Sequence, residues 1–183
     1  RPWFSDEDGK NILFSSVHLY GRGFYPKTGE DDGDDQEPYR PGGIYNLPLR
    51  PGRAAASTWR KQFSDTVIPA LTRFEPDFIL ISAGFDAHEK DHLHDSDDTR
   101  VTEFEYEWVT KQLIGIANRF CDGRLVSVLE GGYCSRAGPL SPLASSVVHH
   151  VRALVNTDEK PLVMDPDDAA YFVATEADRE KLN

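Results

Sequence analysis

The chain has 183 residues, with 31 acidic against 20 basic side chains and a formal charge of −11. Its length suits one domain, and a 39% hydrophobic content that includes ten Phe and seven Tyr supplies a core, so global disorder is excluded. No apolar run nears the ~18 residues of a membrane helix, and the acidic balance opposes docking on a phosphate backbone, so neither membrane nor nucleic acid is an expected partner.

Residues 11–17 (NILFSSV) are an apolar run with aromatic and β-branched members, which predicts a buried strand. Recurrent Gly and Pro make residues 20–43 a loop. Inside it the like-charge block 30–37 (EDDGDDQE) reads as a solvated insertion; calcium is the lesser alternative, since the EF-hand ligand spacing and closing Glu are missing. Residues 44–49 read as a short strand ended by Pro48 and Pro51. Residues 54–74 place Trp59, Phe63, Val67, Ile68, Leu71 and Phe74 at helical spacing, with Pro69 expected to kink or divide the helix. Residues 78–81 (FILI) are a further buried strand, followed by a polar loop to about residue 100. Thr102 with Glu105 forms a capping box opening a helix through Phe104, Trp108, Leu113, Ile116 and Phe120, which Asp122-Gly123 ends. Residues 125–129 (LVSVL) are the next strand, a helix follows Gly138 through Val147 to Val155, and a last short helix spans 169–182.

Strands that are apolar runs, interleaved with helices, predict a three-layer α/β fold whose mainly parallel sheet is covered by helices on both faces. Chemistry in such folds sits in loops at the carboxyl ends of strands, here 15–29, 82–94 and 130–138. Cys121 and Cys134 make no disulfide framework, and without a signal-peptide pattern a reducing intracellular compartment is expected.

Asp86 leaves a strand end within 82–88 (SAGFDAH), which puts its carboxylate at the rim of the sheet. Asp86-x-His88 could give two ligands to one ion, and Asp91, His92, His94, Asp95, Asp97 and Asp98 add metal-capable donors, although a hydrated acidic loop explains 91–98 as well. In Glu130-Gly131-Gly132-Tyr133 the paired glycines allow close approach of a ligand, and the Tyr133 hydroxyl could donate to a developing oxyanion. A tight turn followed by a core Tyr is the plain alternative. Phe24 and Tyr25, flanked by Pro26 and Gly29, make either a wall for an alkyl chain or aromatic packing over a loop. His149 and His150 are adjacent on a helix, diverge by about 100° and read as one surface and one semi-buried histidine.

Five segments in order, 12–18 (ILFSSVH), 23–29 (GFYPKTG), 44–49 (IYNLPL), 76–88 (PDFILISAGFDAH) and 125–133 (LVSVLEGGY), resemble the zinc-dependent histone deacetylase family of the arginase/deacetylase fold, its class II branch above all. The resemblance implies a hydrolase that cleaves N-acetyl-lysine amides of histone or another protein with zinc-activated water, a histidine taking the proton. It makes Asp86 the third zinc ligand and Tyr133 the catalytic donor to the oxyanion. Phe24, Tyr25 (in place of the usual Phe), Leu93, Gly131 and Gly132 become the substrate channel, and Ser16 and Val17 lend oxygens to a structural potassium ion.

There are departures. The family's His-His pair and the Asp-x-His segment with its first two zinc ligands precede the first strand seen here, and nothing before residue 11 matches either. His149-His150 lies on the wrong side of Tyr133, and His92 stands where Pro is usual. The expectation is therefore that residues 1–160 are the carboxyl-terminal half of a deacetylase domain, inactive without an amino-terminal half as its partner. Residues 161–183 would be a connector and short helix. The expected compartment is nuclear, cytoplasmic or both. Two rivals are a non-catalytic pseudoenzyme that binds acetylated peptide or partners, and a deacetylase of small acetylated amines.

Overall fold

The computed structural model describes residues 7–21, 24–25, 29, 43–52, 55–93, 99–136 and 140–155. In order come α1 (Asp8–Asn11), β1 (Phe14–Leu19), β2 (Ile44–Leu49), α2 (Ala55–Gln62), a π-helical turn (Phe63–Val67), α3 (Ile68–Phe74), β3 (Ile79–Ala83), α4 (Glu103–Phe120), β4 (Leu125–Leu129) and α5 (Pro142–Val155). The first strand begins later than residue 11 because the Lys10 and Asn11 amides turn back to Glu7 O at 3.0 and 3.3 Å. The acidic block 30–37, residues 94–98, the predicted helix 169–182 and the boundary at 160 lie outside the described residues.

Pro69 divides its helix as expected. It stands in the first turn of α3, and just before it the Ile68 amide reaches back five residues to Phe63 O. A wider turn directly ahead of the proline suits a residue that has no N–H to donate. The capping box also forms, with Phe104 N–H donating to Thr102 Oγ1 and Thr102 N–H donating to Glu105 Oε2 at 2.8 Å. Glu105 does double duty, since Arg60 of α2 donates to its Oε1 at 3.2 Å in a buried pair, and the same guanidinium lies 5.1 Å from the Trp108 ring. Around that pair Trp59, Phe85, Tyr106, Trp108, Leu49 and Val101 form the main core.

Both strand pairs are parallel, β1 with β2 from Phe14↔Ile44 to Leu19↔Leu49 and β3 with β4 from Ile79↔Leu125 to Ala83↔Leu129. Among the described residues these are two separate two-stranded pairs, and burial on both faces does not hold. Ile79 packs with Ile116, Ala117 and Cys121, whereas on the other face Leu80 is 65% exposed and Val126 and Val128 are about half exposed. Successive side chains of a strand point to opposite faces, and α4 and α5 serve one of them. No helix among the described residues is long and apolar enough to cross a membrane.

α4 and α5 are joined by a polar clamp. The Glu107 carboxylate accepts from Arg152 at 2.7 and 2.9 Å, from His149, and from Lys111 at 3.1 Å. Beside it, His150 is buried between two hydroxyls. Thr110 gives its single proton to Tyr106 O at 2.6 Å, so Thr110 Oγ1 accepts from His150 Nδ1 at 2.7 Å and Ser127 Oγ donates to Nε2 at 2.8 Å. The two histidines thus depart from the expected surface and semi-buried pair: His150 is fully buried and His149 is half-buried against Glu107, because α5 is covered by α4 and β4.

Burial lowers the His150 pKa from 6.5. Burial works to raise that of Glu107, but hydrogen bonds from Arg152, His149 and Lys111 prevail and bring it from 4.5 to about 2. Both folded values lie below the unfolded ones, so each group stabilises the fold above its unfolded pKa and loses that contribution as pH falls. Acid melting curves should therefore drop in two windows, the first below about 6.5 from His150 and the second from about 4.5 toward 2 from Glu107. Glu107→Gln should shrink the lower window, leaving the part that Glu103 contributes through its own lowered pKa, and cost roughly 1–2 kcal/mol at neutral pH, a figure reduced for solvent around Arg152, as thermal melts across pH would show.

Candidate active site

Parallel pairing sets the carboxyl ends of β3 and β4 side by side, and the ladder runs on past both strands. Glu130 N–H donates to Ala83 O at 3.0 Å, and Phe85 N–H donates to Gly131 O at 2.9 Å. This extra rung holds the loop that carries Asp86 against the loop that carries Gly131. A Cβ on Gly131 would lie 2.8 Å from Asp86 Oδ2 and 2.9 Å from its Cγ. The glycine is needed at 131 for close approach, as expected of the pair, but what approaches is a carboxylate of the protein itself. Gly132 has φ +124°, and a Cβ there would lie 2.7 Å from Leu143 Cδ1 on α5.

Tyr133 follows with its side chain 50% exposed, so it is not a core residue. Its backbone is fixed by Asp91. Asp91 Oδ2 accepts from Tyr133 N–H at 2.7 Å and from Cys134 N–H at 3.3 Å, while Oδ1 accepts from Leu93 N–H at 3.1 Å. Asp91 is 3% exposed, which corrects its reading as part of a hydrated acidic loop. A buried carboxylate needs charge-assisted donors, and three backbone amides provide them. His92 and Leu93 next to it are exposed.

His88 is not a second ligand beside Asp86. It is 3% exposed; Lys90 N–H donates to its Nδ1 at 3.1 Å, which assigns the proton to Nε2, and Nε2 donates to Glu103 Oε2 at 3.1 Å. Ser145 of α5 donates to the other oxygen of Glu103 at 3.2 Å. Burial works to raise the Glu103 pKa, yet a backbone hydrogen bond at Glu103 itself, followed by those from His88 and Ser145, holds it below the usual value. For the Tyr106 phenol, burial and then the carboxylates of Asp86, Asp91 and Glu105 push the pKa well above 10, so it stays protonated.

The other expected residues lie elsewhere. Phe24 N–H donates to Gly21 O at 3.3 Å, and Tyr25 is 94% exposed. Ser16 and Val17 are in β1, where Ser16 Oγ donates to His18 Nδ1 at 3.0 Å while Nε2 of that ring donates to Gly29 O at 2.9 Å. Next to them the Ser15 hydroxyl is buried without a hydrogen-bond partner. The roles of Asp91, Glu103 and Leu143 were missed from sequence, since each contact joins residues 11 or more positions apart, except the short step from Asp91 to Leu93.

A catalytic zinc centre takes three protein ligands. Among the described residues no three His, Cys, Asp or Glu are grouped to hold a metal ion. Asp86 is the one donor at the rim that the sequence motif singles out, so the described residues do not by themselves fit a zinc site.

A family model described as "Histone deacetylase domain" matches residues 4–154, and the chain belongs to the histone deacetylase family. It is 36% identical over 155 residues to Type-2 histone deacetylase 2 of Dictyostelium discoideum, covering 82% of this chain and 9% of that protein. It is 38% identical over 162 residues to the chloroplastic Histone deacetylase 14 of Arabidopsis thaliana, covering 88% and 35%. Among solved structures, the HDA15 HD domain superposes with a TM-score of 0.61 at 30% identity, covering 86% of this chain and 41% of that one. An acetylpolyamine aminohydrolase from Burkholderia pseudomallei gives a TM-score of 0.60 at 26% identity, covering 81% and 39%. The fold is that of the arginase/deacetylase class, and the chain spans well under half the length of these proteins.

The Gly131 contact makes a graded prediction. Gly131→Ala should displace the Asp86 carboxylate and destabilise the fold by about 1–3 kcal/mol. Gly84→Ala, whose Cβ would meet Asp86 Oδ1 only at 3.5 Å, should cost much less. Urea midpoints of the two variants compare them directly.

Proposed function

We propose that the chain is part of a deacetylase domain that hydrolyses the amide of N-acetyl-lysine on histone or another protein. The observation that carries this reading is the extra ladder rung, which brings Asp86 and the Gly131-Gly132-Tyr133 turn to one edge of the sheet. In the proposal Asp86 contributes one ligand to a zinc ion whose other ligands come from outside the described residues. Gly131 and Gly132 would line the channel through their backbone, and Phe24, Tyr25 and Leu93 would form its walls and rim. Tyr133 donates its O–H to the carbonyl oxygen as water adds and the oxygen becomes an alkoxide; the C–N bond then breaks, releasing acetate and the lysine amine. Ser16 and Val17 would lend oxygens to a structural potassium ion, with the unpartnered Ser15 hydroxyl beside them in support. Residues 1–160 are the domain part and 161–183 the connector and short helix. The half-exposed Leu80, Val126 and Val128 face is covered by the rest of the domain. Nucleus and cytoplasm are the proposed compartments.

Likeness to an acetylpolyamine aminohydrolase supports a second reading, deacetylation of small acetylated amines. Turnover of acetyl-lysine peptide against acetylpolyamine by the longest expressed product that contains this chain separates the two, and turnover of neither leaves a binding role.

In that product Tyr133→Phe should lower kcat by roughly 10²–10³ with little change in KM, as loss of an oxyanion donor does; an unchanged kcat would overturn the assignment. The 183-residue chain by itself should show no tight zinc binding by calorimetry at neutral pH. Stoichiometric binding abolished by Asp86→Ala would instead reveal a complete site within it.

A further inference from the structure

We infer that Asp91 is the positioning residue for Tyr133, and that it locks the tyrosine turn to the channel rim at Leu93. The inference rests on the reading of Tyr133 as the oxyanion donor and adds to it a residue that touches neither substrate nor metal. One carboxylate spans both loops. Its Oδ2 takes the amides of Tyr133 and Cys134, at 2.7 and 3.3 Å, and its Oδ1 takes the Leu93 amide at 3.1 Å.

The carboxylate is itself held from behind. Asp91 N–H donates to His88 O at 2.8 Å, the His88 ring is fixed by Lys90 N–H and Glu103, and Glu103 is tied to Ser145 on α5. The Tyr133 backbone is thus referenced to α4 and α5 through side chains with little room to move. A half-exposed phenol is only partly held by its surroundings, so the backbone that carries it has a large share in setting its direction. An oxyanion donor acts only within hydrogen-bond reach of the developing charge, and a displacement of about 1 Å can cost about 10²-fold in rate.

Two measurements test this. In the 183-residue chain, Asp91→Ala should speed amide exchange at Leu93, Tyr133 and Cys134 by at least ~10-fold, with the Ile116 amide of α4 unchanged, as expected for local opening. Unchanged exchange at Tyr133 and Cys134, or equal acceleration at Ile116, would overturn a positioning role. In the longest expressed product, Asp91→Ala should lower kcat by roughly 10–10² with KM moved less than about twofold. Asp91→Asn keeps one acceptor oxygen and should recover most of that loss. In a Tyr133→Phe background Asp91→Ala should cost less than about threefold, because residues acting through one another are not additive. Full additivity would sink the proposal even if every variant folds. Should Tyr133→Phe alone leave kcat unaltered, the oxyanion reading fails, and the exchange data still decide whether Asp91 holds the turn.

Discussion

The parallel register of β3 and β4 is the constraint on which the rest depends. Antiparallel neighbours would send their outgoing loops to opposite ends, whereas parallel ones deliver both to the same edge. With Ala83 opposite Leu129, one more rung between Phe85 and Gly131 is enough to bring a carboxylate loop and a glycine-tyrosine loop into contact. What fills the space between them is then settled by size. Only hydrogen fits at position 131 beside the Asp86 carboxyl group.

Acidic groups converge behind that edge in a chain already at −11. Asp86, Asp91 and Glu105 all act on the buried Tyr106 phenol, and the two that are buried, Asp91 and Glu105, could not be tolerated there without donors. Asp91 has three backbone amides, and Glu105 has Arg60 and the cap of α4. Helix capping, a local device, thus also supplies part of the long-range polar order of the core. On the far side of α4, Glu107 repeats the pattern with Arg152, His149 and Lys111 from both helices.

Features set by neighbours in sequence were legible. The Thr102-Glu105 cap, the division of a helix at Pro69, the strand at 44–49 and the stop at Asp122-Gly123 follow from residue types at short spacing, and each is present. Burial on both faces of β3 and β4 was inferred from apolar content, which measures what a strand can bury but not what lies over it. The site was legible in part. The motif placed Asp86 and Tyr133 at strand ends, yet nothing local separates Asp91, which is buried, from the exposed His92 beside it. His88 looked like a metal ligand because donor atoms are visible in sequence and their partners are not. Its actual partner, Glu103, sits 15 positions on, across a loop.

Gly132 has a consequence for how this sequence can vary. Three separate obstacles guard that position: a positive φ that disfavours any side chain, Leu143 on α5 where a Cβ would go, and Phe85 Cβ at 3.2 Å from the same point. A smaller residue at 143 would remove the second obstacle and leave the other two. No single compensating change opens the position, and drift at the start of α5 cannot be relieved by drift in the turn. Position 132 is therefore held to glycine by its own backbone, whatever residue the first turn of α5 presents at 143.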